Sequence, residues 1–279
     1  MIATSPLNPA TTAQRLFSKS EDMEKAFIHL PDELLLLIAS FLEKEKDISS
    51  LSRTCRKCYP PLNSFLYHHN SLNLGSSALL WAGQRGMEGT ARICIRNGAH
   101  VGVTDIHDYD RTPLFWAACN GYEAVVKLLL ETGRVNGDSK DSRDETPLLA
   151  AAKHGHEAVV KLLLETGHVD LQPKDDPNGW TPLYVAAWHG YEAVVKLLLA
   201  TEGVDADSKD SNGWTPLLRA AQAGHEAVVE CLLETGHVMQ PEEGASGWTP
   251  LSIATQNGHE AVVELLQWSE WRSFWNRAG

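Results

Sequence analysis

From residue 146 to residue 167 the polar and apolar positions follow a pattern that predicts two short helices joined by a turn. Thr146 is placed to cap free backbone N–H groups, and Pro147 fits the first helical position. Leu148, Ala151 and Ala152 then fall on one face of small apolar residues, and Gly155 ends the helix. A second helix starts near His156 and carries Val159, Leu162 and Leu163 at helical spacing. It stops at Gly167, the residue type that a helix C-terminus favours.

The same pattern recurs along most of the chain. Thr-Pro-Leu returns at Thr112, Thr146, Thr181, Thr215 and Thr249, with spacings of 34, 35, 34 and 34 residues. Ten residues after each threonine stands the first residue of a second marker, Tyr or His followed by Glu-Ala-Val-Val. These residues are Tyr122, His156, Tyr191, His225 and His259, each directly behind a glycine. The loops between units hold turn residues, as in Asp141-Ser-Arg-Asp, Asp176-Pro-Asn-Gly, Asp210-Ser-Asn-Gly and Gly244-Ala-Ser-Gly. A unit of this size cannot bury both its helices alone, so neighbours must stack into a quasi-one-dimensional solenoid.

Thr-Pro-Leu, Ala-Ala, Gly-His/Tyr and Val-Val-x-x-Leu-Leu, each repeated several times, resemble the ankyrin repeat family from residue 108 to about residue 266. The resemblance implies an all-α solenoid of helix-turn-helix units with β-turn or hairpin loops. One departure is systematic: where the family has His after Thr-Pro-Leu, this chain has Phe115, Leu149, Tyr184, Leu218 and Ser252. The hydrogen bond that the histidine gives at the loop base is therefore missing or substituted. Residues 77–86 and 91–98 look like a decayed unit, with Ser77 in the capping place 35 residues before Thr112. About six repeats are expected over residues 71–266.

The N-terminal part has a different character. Residues 1–25 are rich in Ser, Thr and other polar residues without a helical period, which predicts a disordered tail. Over residues 26–70 three short helices are expected, the first opening at Leu30-Pro31-Asp32-Glu33 and carrying Leu34, Leu37, Ile38, Phe41 and Leu42 on one wide apolar face. With Cys55-Arg56 near the end of the second helix, this segment resembles an F-box, although the Trp usual soon after Cys-Arg is absent and Tyr59 and Tyr67 are the nearest aromatics. That resemblance implies docking to a Skp-type adaptor of a cullin ubiquitin ligase, with Leu30, Pro31, Glu33, Leu34, Ile38 and Leu42 facing the adaptor. The alternative is that the three helices only cap the open end of the stack. About eight residues, 68–75, join this segment to the first repeat, and so short a link points to a fixed relative orientation.

Candidate binding residues come from positions that differ between near-identical repeats. The residue before each Thr-Pro is Arg111, Glu145, Trp180, Trp214 or Trp248, so three consecutive units present a tryptophan at one position. Trp is a favoured interface anchor. The other explanation is an intramolecular ladder in which each ring packs on the next loop. On the inner helices Trp116, Tyr184, Trp188 and Arg219 stand out as large residues at variable positions. The expected target-binding set is thus Trp116, Trp180, Tyr184, Trp188, Trp214, Arg219 and Trp248.

Charge alters this picture little. The sequence has 36 Asp and Glu against 24 Lys and Arg, a formal charge of -12, without a cluster of basic residues, so nucleic acid is not an expected partner. The loops are acidic, which either steers a basic partner surface or keeps the fingers solvated. No run approaches the roughly 18 apolar residues that a membrane span needs, and no secretory signal pattern opens the chain. Five scattered cysteines fit reduced thiols in the cytoplasm or nucleus better than a disulfide framework. Cys55 and Cys58 have the spacing of half a zinc site, but no second pair accompanies them, so neither metal nor cofactor is expected. A glycine-rich phosphate loop, a nucleophile elbow and a helical His-Glu-x-x-His are all missing from the sequence, which predicts that the chain is not an enzyme.

The last residues, 267–279, carry Trp268, Trp271, Phe274 and Trp275, expected as an aromatic cap folded over the last repeat or as a sticky patch. Together the resemblances imply an interaction protein that holds a target on the concave repeat face and an adaptor at its N-terminus. The rival reading is a non-catalytic scaffold or inhibitor.

Overall fold

The computed structural model describes residues 77–106, 108–172, 178–235 and 247–278. Among them are twelve α-helices, taken in pairs: α1 (Ser77–Arg85) with α2 (Glu88–Arg96), α3 (Pro113–Cys119) with α4 (Glu123–Leu130), and α5 (Pro147–Lys153) with α6 (Glu157–Glu165). They continue as α7 (Pro182–His189) with α8 (Glu192–Leu199), α9 (Pro216–Ala223) with α10 (Glu226–Glu234), and α11 (Pro250–Asn257) with α12 (Glu260–Ala278). The fold is all-α, and the pairs follow the sequence period.

Of these residues, 77–79 and 89–103 fall in one compact unit, and 80–88 with 104–278 in another. In the first, Ala91 and Cys94 face inward on α2, and the chain turns through an Ala99 N–H to Cys94 carbonyl bond of 3.0 Å. Burial pushes the Cys94 thiol up to about 11, which makes it a structural residue and not a nucleophile.

In the second unit each inner helix starts the same way. The threonine hydroxyl accepts the N–H three residues on, at 3.1 Å for Thr112, Thr181 and Thr249 and 3.2 Å for Thr146 and Thr215, with proline next in line. Such a cap contributes about 1 kcal/mol per helix. Successive inner helices α3, α5, α7, α9 and α11 pack side by side, and so do the outer helices α4, α6, α8, α10 and α12. The inner layer is alanine-lined: Ala117, Ala118, Ala151, Ala152, Ala186, Ala187, Ala220, Ala221 and Ala254 are buried. Small side chains let the backbones approach closely, and valine and leucine of the outer helices fill the space between the layers.

The His or Tyr before each outer helix joins one repeat to the one before. Its ring lies on the glycine that ends the preceding inner helix: Tyr122 on Gly86, His156 on Gly121, Tyr191 on Gly155, His225 on Gly190 and His259 on Gly224. At Gly190, with φ of +78°, a Cβ would sit 2.6 Å from Nδ1 of His225, so both the backbone angle and the contact demand glycine. Three histidines add a hydrogen bond, Nε2–H donating over 3.0 Å to the carbonyl of Cys119, Trp188 or Gln222. The ring of tyrosine covers the glycine without this bond, which explains why the two residue types alternate freely here. Open space surrounds Gly258, the last member of the series.

The loops are tight turns, as the β-turn reading of the sequence expects, with one isolated antiparallel bridge, Asp105 to Arg111, among the described residues. Helix α12 runs unbroken from Glu260 to Ala278, because nothing between Leu266 and Trp268 interrupts a helix, and its Trp268 is exposed. The polar tail and the three helices expected over residues 1–70 lie outside the described residues, as do Cys55 and Cys58.

Candidate protein-interaction face

Four of the residues before Thr-Pro, Arg111, Glu145, Trp180 and Trp214, each meet their own inner helix at the fourth or seventh residue after the threonine. These two helix positions are one turn apart on the same face. The Arg111 guanidinium lies 4.9 Å from the Trp116 ring centre, and Glu145 pairs with Lys153 Nζ at 3.1 Å. Trp180 meets Trp188 edge to face at 5.8 Å, and the Arg219 guanidinium lies 4.4 Å from the Trp214 ring. The rings of Trp180 and Trp214 therefore rest on their own inner helices.

Around Arg219 the side chains form one cluster. Its guanidinium lies 4.7 Å from the Trp188 ring and 5.5 Å from the Tyr184 ring, in addition to Trp214. Nε donates to the Tyr184 hydroxyl, one terminal nitrogen donates to Gln222 Oε1 at 3.1 Å, and the other to Asp210 Oδ2 at 3.1 Å. The Tyr184 hydroxyl donates to the same Oδ2 at 2.6 Å, and Oδ1 accepts the N–H groups of Asn212 at 2.9 Å and Trp214 at 2.7 Å. Burial, and then the bond to Asp210, pushes the Tyr184 phenol well above its usual value, so it stays a donor at any ordinary pH. Burial alone would raise the Asp210 carboxyl, but the hydrogen bonds from Tyr184, the Trp214 backbone, Arg219 and the Asn212 backbone outweigh it and hold the carboxyl below its usual value.

Arg111 organises a second cluster. Nε donates to Asp141 Oδ2 at 3.1 Å, with Asp108 at 3.6 Å and Glu145 at 3.7 Å completing its carboxylate shell. The rings of Phe115 at 4.6 Å and Tyr109 at 5.2 Å join Trp116 around the guanidinium, and Arg143 stacks on Tyr109 at 3.6 Å. Lys153 connects the two clusters, since its Nζ lies 5.8 Å from the Trp180 ring.

Of the residues expected from sequence, Trp116, Trp180, Trp188, Trp214, Arg219 and Trp248 are half-buried and keep part of their surface open. Tyr184 is the correction. It is fully buried because its hydroxyl replaces the missing loop-base histidine by bonding to Asp210, so it supports Arg219 from below and offers no surface to a partner. Leu30, Pro31, Glu33, Leu34, Ile38 and Leu42 lie outside the described residues.

Several exposed large apolar side chains were not in the expected set. Besides Trp268 on α12, Trp81 is 49% exposed, Met87 44%, Ile106 76% and Tyr109 43%, these four at the N-terminal end of the second unit. A signal for one of them existed. Trp81 stands four residues after Ser77, the register of Trp116 and Arg219 in their own units.

The ankyrin repeats family model matches three times, over residues 51–141, 134–210 and 194–270, and so spans most of the 279-residue chain. The F-box-like family model matches residues 27–72. The chain belongs to the ankyrin repeat family and carries an F-box-like domain ahead of the repeats. No curated protein matches it. Both families are non-catalytic interaction modules, and their combination makes the chain a protein-interaction adaptor. Among the described residues no helix is long and apolar enough to cross a membrane.

Proposed function

We propose that this adaptor is the substrate receptor of a Skp-cullin-F-box type ubiquitin ligase, acting in the cytoplasm or nucleus. Residues 26–70 hold a Skp-type adaptor through Leu30, Pro31, Glu33, Leu34, Ile38 and Leu42. The repeats of residues 71–266 hold a target protein on the face that bears Trp116, Trp180, Trp188, Trp214, Arg219 and Trp248, with Tyr184 beneath. The mechanism is proximity: the receptor raises the effective concentration of target lysines at the transferred ubiquitin, and the chemistry belongs to other subunits. One observation carries the reading, the presence of an F-box-like match and an ankyrin array in a single chain. The half-buried aromatic and arginine side chains support the second part, because Trp and Arg dominate interface energetics.

The test is co-elution of the full chain with a purified Skp-type adaptor in size-exclusion chromatography, with the double variant Leu34→Asp, Ile38→Asp alongside. A one-to-one complex that the variant loses is the expected result. A folded chain that never co-elutes overturns the ligase role. A capped ankyrin scaffold then takes its place, a reading favoured by the overlap of the two family matches over residues 51–72.

A further inference from the structure

The aromatic row of the C-terminal repeats is largely occupied with itself. Trp180 and Trp188 hold each other, and Arg219 lies against both Trp188 and Trp214 while bonded to Asp210, Gln222 and Tyr184. At the N-terminal end of the same unit the apolar side chains are more open. Ile106 sits beside the Asp105–Arg111 bridge that closes its loop, with three quarters of its surface exposed. Tyr109 and Trp116 flank one guanidinium, that of Arg111, at 5.2 and 4.9 Å.

Trp81 holds the Trp116 register one repeat earlier, and α1 comes close to the start of α3 at Gly83, where a Cβ would meet the Pro113 carbonyl oxygen at 2.6 Å. Positions in one register of stacked repeats project to the same side, which places Trp81 and Trp116 on one face.

The loops that frame these residues have a definite sign. Residues 104–111 and 138–145 carry seven carboxylates, Asp105, Asp108, Asp110, Asp138, Asp141, Asp144 and Glu145, against three cations, Arg111, Lys140 and Arg143. Arg111 already has three carboxylates within 3.7 Å, so it has little capacity left for an incoming anion. An acidic ligand would meet repulsion there. A cationic side chain would meet a favourable field.

We propose that Trp81, Ile106, Tyr109 and Trp116 form a docking surface for an extended partner segment that carries apolar side chains beside Lys or Arg. This rests on the reading of the repeats as the target-holding part and moves the primary contact from the C-terminal tryptophan row to the first two described repeats. The apolar side chains of the segment cover Trp81, Ile106 and the exposed edges of Tyr109 and Trp116, and its cation lies near the carboxylates of the acidic loops.

The full chain is panned against a display library of random peptides, and enriched peptides are then titrated by fluorescence anisotropy. Expected is enrichment of sequences with Lys or Arg next to Leu, Ile or aromatic residues, with affinity that falls as salt is raised. Ile106→Ser and Trp81→Ala each weaken these peptides by at least about tenfold, while Gln267→Ala, exposed on α12, leaves them within about twofold. Ile106 is so exposed that its replacement leaves the melting temperature unchanged, which keeps the test free of unfolding. Enrichment of acidic peptides, binding that only Trp188→Ala abolishes, or no enrichment at all each overturns the proposal. Because panning uses no adaptor, its failure leaves the co-elution result standing, and a failed co-elution leaves this surface standing.

Discussion

The second and fifth helix pairs fill the same two positions with the same two residue types exchanged. In the second pair the arginine precedes Thr-Pro and the tryptophan lies on the inner helix, as Arg111 and Trp116. In the fifth the tryptophan comes first, as Trp214, and Arg219 follows on the helix. Both arrangements stack guanidinium on indole and both tie the guanidinium to a loop aspartate, Asp141 or Asp210. The contact, rather than the residue at either position, is what the two repeats share.

What differs is the support beneath. Asp210 accepts four hydrogen bonds, one of them from the Tyr184 hydroxyl, whereas Asp141 accepts three, and the residue in the Tyr184 register is Phe115. The fifth pair is locked by a buried polar network, and the second by a looser shell of three carboxylates.

Removing the aspartates breaks the comparison most sharply. Asp210→Ala strands a buried phenol and strips Arg219 of its partner, at an expected cost of about 3 kcal/mol. Asp141→Ala costs less, about 2 kcal/mol, because Asp108 and Glu145 remain beside Arg111. Urea unfolding measures both, and equal losses would mean that the tyrosine network adds nothing.

A smaller effect isolates the hydroxyl itself. Tyr184→Phe is expected to cost about 1–1.5 kcal/mol, and Phe115→Tyr, which copies the fifth-pair arrangement into the second, to leave stability unchanged or raise it by up to about 1 kcal/mol. Loss of stability in Phe115→Tyr, read in the same unfolding curves, would show that the second pair has no room for the bond.

The smallest effect is a pH dependence. Asp210 has a folded-state value held below its ordinary 3.8, so its stabilising contribution is complete above that value and lost as pH falls through the lower folded value. The stability gap between the wild type and Asp210→Ala should be full at pH 7 and narrow as pH drops below about 4. A gap that stays constant to the lowest pH at which the chain folds would contradict the depressed carboxyl.

Much of the fold could be read from the residues because its determinants are local. Thr, Pro and Gly act on the turn in which they stand, and all five Thr-Pro sites start an inner helix as expected. The binding face was only partly legible. That Trp180, Trp214 and Trp248 share one position follows from the period, but that Trp180 leans on Trp188 and Trp214 on Arg219 depends on side-chain directions that the period does not specify. Tyr184 reads as a large exposed anchor until its hydroxyl is seen on an aspartate 26 residues later, a long-range bond with no local signature. Residues 267–278 carry no helix breaker, and helix α12 continues through them.

The ring-on-glycine contact has a consequence for how such a chain changes length. Each unit from the second pair onward contributes one projecting ring at its front and one glycine at its back, so a whole unit gained or lost among them joins its new neighbours through the contact already in use. A gain or loss of part of a unit would leave a ring without a seat or a seat without a ring. Lengthening in steps of 34 or 35 residues would therefore conserve these junctions, and outer helices α4 and α8, both Glu-Ala-Val-Val-Lys-Leu-Leu-Leu, would be interchangeable in them.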